Sequence, residues 1–200
     1  MGFEIKDGTG TGNLVRVDSE NRLSSRAITE TETEKAVVDG RAYNINTEFL
    51  SITTDVEHAL LYVKNNEDQD LILTAWFNGT DFGTNGATSG LVRVYYNPTG
   101  GTIISDATAV TSVNRNAGSS RALSADVYSG GNAKTFTGQD PTSVLYQTQT
   151  VGSRVFGNVF LTLPKGSSLV STYKPNGAQT PSAIPIYVGF QVYVASKIKL

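Results

Sequence analysis

Apolar and polar residues alternate most regularly near the end of the chain. From Ile184 the even-numbered positions are apolar as far as Leu200, and Ser196 alone interrupts the series. The odd-numbered positions include Tyr187 and Gln191, which suit contact with water or a polar partner. Because side chains of a strand point alternately to its two faces, the pattern predicts one long strand with a single buried face.

The densest apolar stretch lies earlier, between residues 58 and 77. It contains two short runs, Ala59–Val63 and Leu71–Phe77, on either side of the polar segment Asn65–Asp70. Both runs are rich in β-branched and aromatic side chains, which favours buried strands over a helix. The pattern predicts a β-hairpin at the centre of a sheet. Trp76 is expected in the core, with its indole N–H bonded to an acceptor.

Short apolar runs separated by turn residues recur along the rest of the chain. They predict strands at Lys35–Val38, Ala42–Phe49, Leu91–Tyr96, Thr102–Ile104, Val110–Val113, Leu123–Tyr128, Val144–Thr150, Val155–Leu163 and Leu169–Tyr173. The Asp39-Gly40 pair between the first two is typical of a two-residue hairpin turn. No segment of ten or more residues has a helical period. We therefore expect an all-β protein, an antiparallel β-sandwich of the jelly-roll type over residues 35–200.

Residues 1–34 differ from this body and are predicted to form an extended N-terminal arm and connector. A glycine-rich loop precedes a short strand at Leu14–Val17, and the arm has too few apolar residues to fold alone. In Thr29–Glu34 threonine and glutamate alternate, which disfavours a helix. Three glutamates on one side could attract a divalent cation or a basic patch. The simpler interpretation is a solvated connector or an edge strand.

Composition narrows the possible partners. A chain of 200 residues suits one domain with an appended arm, and the absence of cysteine excludes disulfides and thiolate metal sites. The net charge is −2 and the 16 lysines and arginines are spread thinly, so we expect no nucleic-acid partner. The apolar runs are too short for a membrane helix and the start lacks a secretory signal, so we expect no membrane partner.

The residue types that carry catalysis are sparse. His58 is the single histidine, so it cannot anchor a common zinc site, and we expect it to be structural. The glycines at residues 8–12 lack the lysine and the helix of a phosphate-binding loop. Asn65–Asp70 carries several oxygens that could hold calcium, but it lacks the features of an EF-hand loop, and a polar turn is favoured. We expect no catalytic residue, no metal and no cofactor, and therefore no enzyme. A glycosidase or depolymerase would need paired carboxylates, which the pattern does not place.

Two parts of the chain resemble a known group of proteins. Residues 7–23, Asp-Gly-Thr-Gly-Thr-Gly-Asn-Leu-Val-Arg-Val-Asp-Ser-Glu-Asn-Arg-Leu, resemble the glycine-rich arm at the start of many tailed-bacteriophage virion proteins. Tyr96–Thr102, Val113–Ser120 and the Pro175-Asn176-Gly177 segment before the last strand resemble the companion β-domain. The match spans most of the chain.

This resemblance implies a non-enzymatic structural protein on the capsid surface of a virion. In that group, jelly-roll proteins of this size are typically capsid decoration (cement) proteins, which bind the major capsid protein shell and stabilise it, often as homotrimers. The arm would then supply the contacts. Its apolar side chains, the candidates for touching the capsid, are Phe3, Ile5, Leu14, Val15, Val17 and Leu23.

A different class stays open. A head-fibre or tail-associated module that binds a receptor or carbohydrate would use the same scaffold with aromatic residues at loop tips. The candidates for such contacts are Tyr128, Tyr146, Tyr173 and Phe82. The chain has no repetitive stalk and no coiled-coil heptads, which favours the decoration protein over a fibre.

Overall fold

The structure is a computed structural model that describes residues 31–53, 56–80, 89–132, 134–138, 141, 143–148, 153–176 and 184–196. Within these ranges the chain forms two short helices, α1 (Glu32–Val38) and α2 (Thr102–Ser105), and twelve strands. The strands are β1 (Ala42–Asn46), β2 (Leu50–Ile52), β3 (His58–Asn65), β4 (Leu71–Thr80), β5 (Ser89–Tyr96), β6 (Thr108–Ala109), β7 (Val113–Asn114), β8 (Ala125–Ser129), β9 (Ser143–Thr148), β10 (Ser153–Leu163), β11 (Ser168–Asn176) and β12 (Ile184–Val194).

The strands form two antiparallel sheets that pack face to face. The first sheet has the order β10-β4-β12-β1-β7, and β2 pairs with the beginning of β12. The second has the order β6-β8-β3-β11-β5-β9. Four strands of each sheet give the strand order of a jelly roll, in which two Greek keys interlock. These strands are β1-β12-β4-β10 in the first sheet and β3-β11-β5-β9 in the second. The prediction of an all-β antiparallel sandwich of the jelly-roll type is confirmed. Residues 1–30 of the predicted arm lie outside the described part of the chain.

Strand β12 supplies much of the core between the sheets. Its even-numbered side chains are all buried, as the alternation predicts: Ile184, Ile186, Val188, Phe190, Val192 and Val194. Tyr187, Gln191 and Tyr193 are half-buried on the opposite face. The strand ends at Val194, earlier than predicted, and residues 197–200 lie outside the described part of the chain.

The predicted central hairpin is wrong, because β3 and β4 belong to different sheets. β3 pairs with β8 and β11, whereas β4 pairs with β10 and β12. The segment between them therefore crosses from one sheet to the other. The Asn65 side-chain amide holds this crossing, because it donates to the carbonyl oxygens of Gln69 at 2.9 Å and Leu163 at 2.8 Å.

Burial on both faces explains why β3 reads as a continuous apolar run. One face of β3 contributes Leu60, Leu61 and Val63 to the main core. Its other face contributes Ala59 and Tyr62 to a second, smaller apolar cluster. A strand covered on both faces carries no polar alternation, so its pattern cannot reveal its pairing partner.

Helix α2 and the residues around Phe136 cover part of the outer face of the second sheet. Thr102–Ile104 is helical rather than a strand, which corrects the prediction made for that run. Gly101 has φ 120, and the Asp106 N–H donates to the Thr102 carbonyl at 2.9 Å, which closes the helical turn. Ile103 is fully buried against Tyr95 and Val170 in the second cluster. The run is too short for its apolar pattern to distinguish a helix from a strand. The burial of Ile103 therefore accounts for its helical conformation.

Helix α1 corrects two further predictions. Lys35–Val38 is not a strand, and Thr29–Glu34 is not extended from Glu32 onward, three residues before the predicted start of the domain at Lys35. Gly40, at φ 67, ends the helix: its N–H donates to the Val37 carbonyl at 3.0 Å, and the Arg41 N–H donates to the Ala36 carbonyl at 2.7 Å. This pair of bonds is the Schellman motif. The Asp-Gly signal thus marks a helix end here rather than a hairpin.

A polar cluster holds α1 against the end of β12. Arg41 contacts Glu32 at 3.3 Å and Asp39 at 3.0 Å, and it also donates to the Val194 carbonyl. The Ser196 hydroxyl donates to Glu32 at 2.6 Å. This hydrogen bond, together with Arg41, holds the pKa of the Glu32 carboxyl below its usual value. The cluster therefore fastens the helix while Glu32 is ionised.

Trp76 is buried as predicted, but its environment differs from the expectation. It is 2% exposed, lies in the main core and pairs with Phe190 of β12. No described residue accepts a hydrogen bond from its Nε1, contrary to the prediction. The contribution of Trp76 to stability is therefore apolar.

We expect Trp76→Ala to lower the free energy of unfolding by about 3–5 kcal/mol, because it leaves a large cavity in the core. Trp76→Phe should cost clearly less, since it keeps a ring and removes no hydrogen bond. Denaturant unfolding of the two variants and the parent measures both. A loss below about 1 kcal/mol for the alanine variant would show that Trp76 does not support the core.

The cluster around Glu32 predicts a dependence of stability on acid. A carboxyl whose pKa is lowered by folding stabilises the protein above its unfolded-state pKa, near 4.5, and loses that contribution as the pH falls through the folded-state pKa. Glu32→Gln should therefore reduce the loss of melting temperature between neutral pH and pH values below about 4.5. Equal acid sensitivity of variant and parent would contradict this role. Glu48→Gln, at an exposed carboxylate in the loop after β1, is the control.

Candidate functional site

The residues predicted to contact a capsid lie outside the described part of the chain. All six of them, Phe3, Ile5, Leu14, Val15, Val17 and Leu23, precede residue 31. Their role stays a prediction. The search for a site therefore concerns the jelly roll itself.

The polar turn of residues 65–70 acts as a junction between loops. Glu67 accepts hydrogen bonds from Arg121 at 3.2 Å and from the Ser124 backbone N–H at 2.9 Å. Asp68 forms an ion pair with Lys165 at 2.6 Å. Protein groups thus contact both carboxylates, which agrees with the interpretation of the segment as a turn. Across the described residues, no group of three or more His, Cys, Asp or Glu is placed to hold a metal ion.

Another carboxylate, Glu57, is bound beside the second sheet. Glu57 pairs with Arg93 at 2.7 Å and accepts hydrogen bonds from the Tyr95 hydroxyl at 3.0 Å and the Thr172 hydroxyl at 2.5 Å. Burial raises the pKa of Tyr95, and the neighbouring Glu57 charge raises it further. The hydroxyl therefore stays protonated and bound. Three donors on one carboxylate indicate a structural junction between β5, β11 and the start of β3.

The aromatic residues proposed for loop tips are not arranged that way. Tyr173 is fully buried in the main core, where burial raises the pKa of its hydroxyl, so it is not a surface contact. Tyr128 is half-buried on β8 and stacks on Tyr62 with ring centroids 6.0 Å apart. Both residues therefore lie in strands, Tyr173 in β11 and Tyr128 in β8, rather than in loops. Tyr146 lies within β9, of which the structure describes the backbone, and Phe82 lies outside the described residues.

His58 is buried as well. It is the first residue of β3, is 1% exposed and pairs with Tyr173 in the sheet register. This position agrees with the structural role expected from the sequence.

A different set of aromatic side chains forms a groove on the outer face of the first sheet. We call this the aromatic groove; it has a volume of about 650 Å³, and its described lining residues are Asn46, Thr47, Glu48, Phe49, Phe77 and Tyr187. Phe49 is 67% exposed in the loop between β1 and β2, although the sequence placed it at the end of a strand. Its ring stands edge-on to Tyr187, with the centroids 5.2 Å apart and the planes at 80°.

Two glycines allow the other rings of the groove to lie on the sheet. The Tyr187 ring covers Gly79 on β4, because a Cβ at that glycine would come within 2.1 Å of a ring carbon. Phe77 covers Gly189 on β12 in the same way, at 2.2 Å. The centroids of Phe77 and Tyr187 are 6.5 Å apart. The rings of Phe77 and Tyr187 thus form the base of the aromatic groove, and the ring of Phe49 forms one side of it.

The polar side of the groove is set by one anchored residue. The backbone N–H of Thr47 donates to the Val188 carbonyl at 2.9 Å, and its hydroxyl accepts from the Val188 N–H at 3.0 Å. This fixes the loop while leaving the neighbouring Asn46 and Glu48 exposed. None of the described lining residues is a lysine or an arginine. The groove therefore combines apolar rings with an amide and a carboxylate.

A second groove adjoins the first. It has a volume of about 570 Å³ and shares Asn46, Glu48 and Phe49 with the aromatic groove. Its remaining lining residues are Leu50, Thr108, Ala109, Val110, Thr111 and Ser129. Phe49 is thus common to two concave surfaces.

Sequence reasoning missed the aromatic groove. The outward position of Tyr187 follows from the alternation of β12, which is a usable signal. The contact with Phe49 and Phe77 depends on the pairing of β12 with β4 and on the loop after β1, which no local pattern encodes.

Comparison of the sequence with known proteins does not assign the chain to a family. No protein-family model matches the chain, and no curated protein is significantly similar to it. None of the helices in the described ranges is long and apolar enough to cross a membrane.

The junction role of the turn at residues 65–70 predicts that chelators do not alter stability. Treatment with EDTA should leave the melting temperature unchanged, because Glu67 pairs with Arg121 and Asp68 pairs with Lys165. Thermal unfolding with and without EDTA measures this, and added calcium provides the reverse test. A clear fall with EDTA, restored by calcium, would overturn the interpretation of the segment as a turn.

Proposed function

We propose that the protein is a non-enzymatic structural protein of a phage virion, a capsid decoration protein that binds the major capsid protein shell and stabilises it. The observation that carries the proposal is a jelly-roll core assembled from residues between Tyr43 and Val194, preceded by an arm whose sequence resembles those of virion proteins. A rigid sandwich with a separate adhesive arm has the parts that such a protein needs. It needs no cofactor.

Attachment through the arm follows from the cost of ordering it. Ordering a segment of chain costs about 1–2 kcal/mol per residue, and the glycine-rich arm has few apolar side chains to offset this. A partner surface can supply the difference. The shell protein would do so by β-augmentation, in which Leu14–Val17 adds a strand to an exposed sheet edge.

The alternative is a head-fibre or tail-associated module that binds a receptor or a carbohydrate. One observation favours it, the exposed aromatic ring of Phe49 beside Tyr187. Large exposed aromatic side chains often mark a contact surface. Comparing the binding of the purified protein to empty heads and to host cells separates the two proposals.

Deleting residues 2–23 should abolish binding to undecorated capsids and leave the melting temperature within a few degrees of the parent. Co-sedimentation with capsids and thermal unfolding measure the two effects. The matched variant Val15→Gly, Val17→Gly keeps the length of the arm but weakens strand formation, so it should bind more weakly than the parent.

Two outcomes would contradict the assignment. Unfolding of the truncated protein would mean that the arm belongs to the domain core. Normal decoration by the truncated protein would mean that attachment lies in the sandwich.

In solution we expect a mass of about three chains, in keeping with the homotrimers of decoration proteins.

A further inference from the structure

We propose that the aromatic groove is a binding site for a neutral oligosaccharide. The site lies within the jelly roll and uses Phe49, Phe77 and Tyr187 with Asn46 and Glu48. The proposal does not depend on where on a virion the protein is located. It concerns a surface separate from the arm that the capsid proposal uses.

The dimensions of the groove suit a small ligand. Its volume of about 650 Å³ lies within the range of about 300–1,000 Å³ usual for small-molecule sites. A stable protein partner would instead cover about 800 Å² on each side. The adjoining groove shares Phe49, so a ligand of several linked units can extend past that ring.

The arrangement of the rings matches the shape of a sugar. A pyranose ring has faces of C–H groups, which are apolar, and a rim of hydroxyl groups, which are polar. The Tyr187 and Phe77 rings lie along the sheet over Gly79 and Gly189 and offer their outer surfaces to such a face. Phe49 stands at 80° to Tyr187 and can contact the side of the same ligand.

The polar residues of the groove suit hydroxyl groups. The Glu48 carboxylate accepts hydrogen bonds, and the Asn46 amide both donates and accepts. Both residues are exposed beside the rings, and Thr47 between them is fixed by its bonds to Val188. Preorganised acceptors and donors next to an aromatic surface reduce the entropy lost when a ligand binds.

The charge of the groove narrows the class of ligand. Its described lining contains the Glu48 carboxylate and neither lysine nor arginine. A sialic acid, a phosphorylated sugar or a nucleic acid would therefore meet the like charge of Glu48. A neutral saccharide avoids this repulsion.

The test uses the full-length chain and defined probes. Maltohexaose, cellohexaose and chitohexaose serve as neutral oligosaccharides, and 3′-sialyllactose serves as the acidic probe. Saturation-transfer NMR detects binding, and isothermal titration calorimetry measures affinity. We expect at least one neutral hexasaccharide to bind and the acidic probe not to bind.

Variants locate the binding in the groove. Phe49→Ala and Tyr187→Ala should each weaken binding by about tenfold or more, as truncation of a central aromatic contact does. Tyr187→Phe keeps the ring and should stay within about threefold of the parent. Phe160→Ala is the matched control, because Phe160 is 80% exposed on the edge strand β10 and does not line the groove. Its affinity should be unchanged.

Several results would overturn the proposal. They are the absence of binding by all three neutral probes, binding that survives Phe49→Ala and Tyr187→Ala together, and binding of the acidic probe alone. A cationic peptide, hexalysine, is titrated in parallel. If hexalysine binds in a Phe49-dependent manner and the sugars do not bind, the groove is a peptide site. Circular dichroism of each variant confirms that loss of binding does not reflect unfolding.

Discussion

The alternation of apolar residues in β12 is the constraint on which both the core and the aromatic groove depend. β12 pairs with β1, β2 and β4 and directs its even-numbered side chains into the space between the sheets. A slip of one residue would turn Phe190 away from the core and turn Tyr187 into it. The same register that places Phe190 opposite Trp76 also places Tyr187 opposite Gly79. Core packing thus sets the geometry of the outer face.

The fold class was predictable from sequence because an antiparallel strand with one solvent-facing side shows alternating apolar and polar residues. β12 and β5 are such strands, and each begins within two residues of its predicted start. The predictions failed where the physical cause is not local. β3 is buried on both faces, so nothing in its pattern distinguishes a hairpin with β4 from a crossing between sheets. The Asp39-Gly40 pair is equally compatible with a hairpin and with a helix end. The site itself was least predictable, because Phe49, Phe77 and Tyr187 come from three distant parts of the chain.

Polar side chains specify the connections that apolar packing leaves open. Asn65 holds the crossing between β3 and β4 by donating to the carbonyls of Gln69, in the crossing itself, and Leu163, at the end of β10. Glu57 ties together β5, β11 and the chain that enters β3. Asn114 donates to the carbonyls of Gly40 at 2.8 Å and Arg121 at 3.0 Å, which joins β7 to the end of α1. A buried or half-buried polar group is costly unless it is satisfied, so each of these contacts favours one connection over its alternatives.

The outer faces of the two sheets differ in how far other segments cover them. The outer face of the second sheet is covered by the segment that contains α2, whose Ile103 seals a second apolar cluster. On the first sheet the half-buried Tyr187 and Phe77 and the exposed Phe49 stay accessible around a groove. Exposing aromatic surface to water is unfavourable, and small residues at these positions would avoid the cost. Gly79 and Gly189 instead make room for the rings, so the sheet accommodates them rather than excluding them. The first sheet therefore keeps aromatic surface accessible, whereas a second apolar cluster covers part of the outer face of the second sheet.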